Sequence, residues 1–97
     1  MNVKMHPNIS PRRGGEVVIG NVYTNRHGRP YYKIVMGIIV RDNNRPWNNV
    51  VMLHVDATGQ ICGSSNQPHK YVQDHQDLMG KVVAMPELDI EWLKEPE

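Results

Sequence analysis

Nineteen of the 97 residues are Val or Ile, against four Leu and two Ala, and this bias constrains the fold more than any motif does. β-Branched side chains lose rotamer freedom in a helix but pack well on a pleated surface. Nine Asn, eight Gly and seven Pro supply turns between the extended runs. The chain therefore reads as mainly β. A chain of 97 residues has room for one small domain with short tails, not for a second domain or a large cofactor pocket. Phe is absent, so two Trp, four Tyr and six Met must supply the bulky apolar groups.

Residues 1–14, with Pro7, Pro11, Arg12 and Arg13, read as a flexible basic arm. Val17, Val18, Ile19, Val22 and Tyr23 predict a first strand, with Gly20 as a bulge within it. After a turn at 25–30, residues 31–41 predict the longest strand. Tyr32, Ile34 and Met36 fall on one of its faces, Tyr31, Lys33 and Val35 on the other, and Gly37 marks a bend. A loop at 42–46 leads to a third strand at 50–56, a tight connection at 57–60 and a short fourth strand at 61–64. The following polar segment offers Tyr71 for burial; residues 74–79 are expected to make one helical turn, ended by Gly80, before a fifth strand at 81–85. In the acidic tail, 86–97, Leu88, Ile90 and Trp92 alternate as in a strand, whereas Pro86, the early acids and Lys94 suit a short helix. Either form would pack Trp92 on the domain or on a partner chain.

This order of elements resembles a five-stranded SH3-like barrel, with one helical turn before the last strand and a short C-terminal helix or edge segment. The stretches GNVYTNRHGRPYYKIV and KYVQDHQDLMGKVV resemble small SH3-like β-barrel proteins of phages and prophages. Those proteins open with a Gly-x-Val-aromatic strand and close with a GKVV-type strand. The resemblance spans roughly residues 15–85 and implies a barrel and a genomic setting, with no assigned activity. The arm and the tail fall outside it.

Charge is unevenly spread. Residues 1–50 carry +6 and residues 51–97 carry −5, for a net charge of +1. A balance this close to neutral excludes a strongly basic nucleic-acid wrapper and an acidic nucleic-acid mimic. Arg12, Arg13, Arg26, Arg29 and Lys33, with Tyr31 and Tyr32 among them, could form a strip of charge and stacking rings suited to single-stranded nucleic acid. The same residues equally describe a solvated hairpin whose tyrosines pack inward. Trp47 beside Arg45 and four Asn has the composition of a binding hot spot, or of a lid on a small core.

His54, His69, His75 and Cys62 lack the spacing of a zinc site, so no metal is expected. His54 reads as a strand residue, His69 and His75 as solvated loop residues, and Cys62 as a small core hydrophobe. No nucleophile elbow, phosphate loop or dinucleotide fingerprint occurs. Cofactors are not expected, and enzyme activity is the last choice. A single cysteine excludes an internal disulfide and fits a reducing compartment. The start lacks a signal-peptide pattern, and no apolar run is long enough to span a bilayer. The expectation is a cytoplasmic protein, in the host cytoplasm if phage-encoded, as a monomer or small homo-oligomer.

The residues thus support a non-catalytic module that binds a host or viral protein, inhibition of a host factor or defence system being one such role, through Arg26, Arg29, Tyr31, Arg45 and Trp47. One alternative is nucleic-acid binding through the strip from Arg12 to Lys33. Another is a small-molecule or nucleotide-binding oligomer.

Overall fold

The computed structural model describes residues 3–6, 9–13, 15–25, 32–40, 48–84 and 88–94. Strands β1 (Asn21–Asn25), β2 (Tyr32–Ile39), β3 (Asn49–Val55) and β4 (Ile61–Pro68) form an antiparallel meander. Helix α1 (His69–His75) then leads into β5 (Gln76–Ala84) and β6 (Asp89–Trp92). β5 returns to pair with β1, giving one six-stranded sheet in the order β4-β3-β2-β1-β5-β6. The fold is mainly β, as composition requires, and the tail supplies a sixth strand as the edge segment.

Both faces of the sheet are covered. On one, Val22, Ile34, Val55, Met79, Ile90 and Trp92 pack with Val3 and Leu88. On the other, Val17, Tyr23, Val35, Val50 and Met52 pack with Val72 of α1. We call these the arm face and the helix face. Alternation along β2 divides the two: Tyr32 and Ile34 serve the arm face and Val35 the helix face. The pairing of β2 with β3 shifts register between Val35 and Gly37, which is the bend expected there, and Met36 turns out to solvent.

Other expectations shift for identifiable reasons. Gly20 has φ of +96° and stands in the turn before β1, so the first strand begins at Asn21 rather than near Glu16. Its amide donates to Val35 O at 2.8 Å, and its carbonyl accepts from Val82 N at 2.8 Å. The helix spans residues 69–75 rather than 74–79 because β5 already starts at Gln76. Within it Val72 is buried, and Tyr71, expected inside, is exposed. Gly80 does not end a helix. It lies in β5 where β6 passes so closely that a Cβ would stand 2.6 Å from Glu91 O. β4 runs eight residues rather than four; as an edge strand with mostly exposed side chains, it needs no apolar alternation to announce it.

Described parts of residues 1–14 lie against the sheet. Val3 N donates to Gly59 O at 2.6 Å, Ser10 N donates to Leu93 O, and Arg12 and Leu78 exchange bonds at 2.9 and 2.7 Å. Trp92 is 6% exposed; its indole N–H donates to Lys4 O at 2.9 Å, and its ring meets Tyr32 edge-on at 5.5 Å. No described helix is long and apolar enough to cross a membrane.

Candidate functional site

The helix face ends in a polar corner. Asn25 closes β1, Lys33 lies in β2, Gln67 lies near the end of β4, and Gln76 opens β5. In the ladder three strands separate β4 from β5, yet Gln76 Nε2 donates to Gln67 Oε1 at 3.0 Å. The sheet therefore curls until its fourth and fifth strands meet through side chains, although among the described residues no backbone ladder joins them.

Two amide oxygens organise the corner. Asn25 Oδ1 accepts from Gln76 Nε2 at 3.1 Å and from Lys33 Nζ at 3.3 Å. Gln67 Oε1 accepts from the same two donors, at 3.0 and 3.4 Å. Lys33 is 6% exposed and Gln76 1%. Lysine is rarely so enclosed without a carboxylate, because an ammonium loses most of its hydration there. Among the described residues no carboxylate pairs with it, and burial holds its pKa below the usual lysine value. Gln76 Oε1 is likewise buried, with no hydrogen-bond partner among the described residues.

Beside Lys33, His54 of β3 is the cross-strand neighbour in register. Its Nε2 lies 2.8 Å from Ser65 Oγ of β4. Burial first, and the Lys33 charge second, lower the His54 pKa, so the neutral imidazole is favoured. The pair can exchange a proton between oxygen and nitrogen. Among the described residues no acid orients the other ring nitrogen, as a catalytic triad would require.

Neither a protein-family model, nor a curated protein, nor a solved structure matches this chain. The site is therefore read from its own chemistry.

The sequence-selected residues fare unequally. Arg26, Arg29, Tyr31, Arg45 and Trp47 lie outside the described residues. In sequence, residues 26–31 join Asn25 to Tyr32 and residues 41–47 follow Val40. Arg12 and Arg13 are exposed, whereas Lys33 is buried and turned into the corner. His69 is not a solvated loop residue: it opens α1, is buried, and its Nδ1 has no partner among the described residues. It lines a cleft of about 230 Å³ with Glu16, Val17, Val18, Ile38 and Asn48. His75 is in the helix rather than a loop, exposed, with its ring against Tyr71. Cys62 is exposed, so it is not a core residue. Among the described residues, no three His, Cys, Asp or Glu side chains gather where a metal ion could sit.

Asn25, His54, Ser65, Gln67 and Gln76 were not singled out as a site from the sequence. One signal did exist. Lys33 alternates with Tyr31 and Val35 on a strand whose every other position is apolar or aromatic, which places a charge on a face meant for burial.

Proposed function

We propose that this chain is a non-catalytic binding module, an SH3-like barrel of the phage and prophage kind, that engages a host or viral protein in the cytoplasm. The meander β1–β4, the return through α1 and the pairing of β5 with β1 support the barrel reading. The observation that carries the binding reading is the corner around Lys33. It fixes a cation, several amides, a hydroxyl and an imidazole on strands of a sheet packed on both faces. Such a set recognises a partner by hydrogen bonds and charge from a rigid frame.

A pull-down with the tagged full chain from bacterial lysate, with and without nuclease and eluted in steps of salt, tests this reading. The expected result is a stoichiometric protein that survives both treatments and re-forms a complex when purified. Exposed Arg12 and Arg13 favour nucleic acid as the second reading. Nucleic acid released at modest salt, with no protein band, would replace the first reading with that one. An eluate with neither would overturn both and point to a small ligand.

A further inference from the structure

Two unmet demands meet in the polar corner. Among the described residues the Lys33 ammonium is enclosed with two long hydrogen bonds, both to neutral amide oxygens that Gln76 already uses. An ammonium has three protons to donate, so one remains for a further acceptor. Among the described residues, Gln76 Oε1 of the same cluster lacks a donor. An ion enclosed without an opposite charge is costly to the fold, which evolution readily relieves by replacing it with an apolar side chain. Here the connection from Asn25 to Tyr32 reads Arg-His-Gly-Arg-Pro-Tyr and contains no acid that could serve as counter-ion. The cluster is not sealed, because Asn25, His54, Ser65 and Gln67 are each only half-buried and lead from Lys33 to the surface.

We infer that this corner is a receptor site for one oxyanion, a carboxylate or a phosphate, held by Lys33 Nζ and rimmed by His54 and Ser65. The anion supplies the missing opposite charge and accepts the third ammonium proton. The Ser65 hydroxyl can turn to donate to the same anion, because its hydrogen rotates freely about the C–O bond. A singly protonated phosphate, or a ligand with an amide N–H beside its carboxylate, also gives Gln76 Oε1 its donor. The site deepens the binding reading, which rests on the same corner, but it can fail separately, since either a partner's acidic side chain or a free phosphate carries the required group.

The test titrates the full-length chain with inorganic phosphate, with N-acetyl-aspartate methylamide, and with sodium chloride at matched ionic strength. Readouts are backbone and side-chain amide NMR shifts together with the thermal midpoint. We expect saturable shifts at Lys33, His54, Gln67 and Gln76 and a rising midpoint with at least one oxyanion, and neither with chloride. The oxyanion that saturates at the lower concentration names the source. Lys33→Met should weaken the response about ten- to a hundred-fold, the scale of one charge-assisted hydrogen bond. Gln67→Glu, which places a carboxylate within reach of Lys33, should raise the ligand-free midpoint and abolish the response. It keeps the test decisive if Lys33→Met fails to fold. Chloride reproducing the effect, neither oxyanion producing one, or an undiminished response in the foldable variants would each overturn the site.

Discussion

Tyr32 and Lys33 are neighbours in β2, and alternation sends them to opposite faces of the same sheet. Tyr32 meets Trp92 edge-on, and the one polar atom of the indole finds Lys4 O. Val22, Ile34 and Ile90 belong to the same apolar cluster. Lys33 donates to two amide oxygens that Gln76 Nε2 also uses, and among the described residues the cluster keeps an ammonium proton and an amide oxygen unused. A fully satisfied cluster holds a fold together and has nothing left to offer a ligand. An under-satisfied one weakens the fold slightly and retains specific chemistry. Stability on the arm face and recognition on the helix face should therefore respond to different mutations.

The widest separation is expected from Trp92→Ala. Removing the indole leaves a cavity under Val3 and Leu88 and orphans Lys4 O, at a cost of about 3–5 kcal/mol. Urea denaturation would show this as a large drop in midpoint. If the stability hardly changes, the arm face is not the main store of stability and the contrast fails. Gly80→Ala tests the same face from the backbone. Its Cβ would lie 2.6 Å from Glu91 O and 3.0 Å from Trp92 Cα, so β6 must move away from β5, at a cost of about 1–3 kcal/mol. Amide exchange should then quicken along residues 89–92 before it changes at Lys33 or Gln76. Simultaneous loss of both regions would show that they form one cooperative unit.

How much of this was legible depended on whether a residue's neighbours were local. The β-rich class, the alternation of β2 and the bend at Gly37 follow from side-chain shape and a period of two, both visible within a few residues. The tail was legible as far as Leu88, Ile90 and Trp92 alternating. The extent of β4 was not, because an edge strand built from Ser64, Ser65, Asn66 and Gln67 has the composition of a loop. The polar corner was hidden for a deeper reason. Asn25, Lys33, Gln67 and Gln76 come together only when the sheet curls β4 toward β5, and apart from Lys33, a charge on an otherwise apolar face, each residue alone reads as solvent-facing. The start of α1 was missed because Gly80, read as a helix stop, is needed for close strand approach instead.

The smallest predicted effect is the most specific to the corner, and it comes from pH. His54 titrates below the ordinary histidine value because it is partly buried and because Lys33 repels a second positive charge. Ser65 of β4, its hydrogen-bond partner, is uncharged, so Lys33 of β2 is the charged group that acts on the ring. Above the unfolded value both states hold His54 neutral, and it contributes nothing to the pH dependence. As pH falls through the unfolded value of about 6.5, the unfolded chain takes up the proton first, and stability declines until the folded value is passed. Lys33→Met removes the second cause and leaves the first. The imidazole should then titrate closer to its ordinary value, and the loss of stability as pH falls through about 6.5 should shrink. The difference between the two proteins contains the coupling of His54 to Lys33. NMR titration of the His54 ring reads it directly. An unchanged pKa in Lys33→Met would mean that the ammonium does not act on the imidazole, and the corner would then be a set of separate contacts rather than one electrostatic unit.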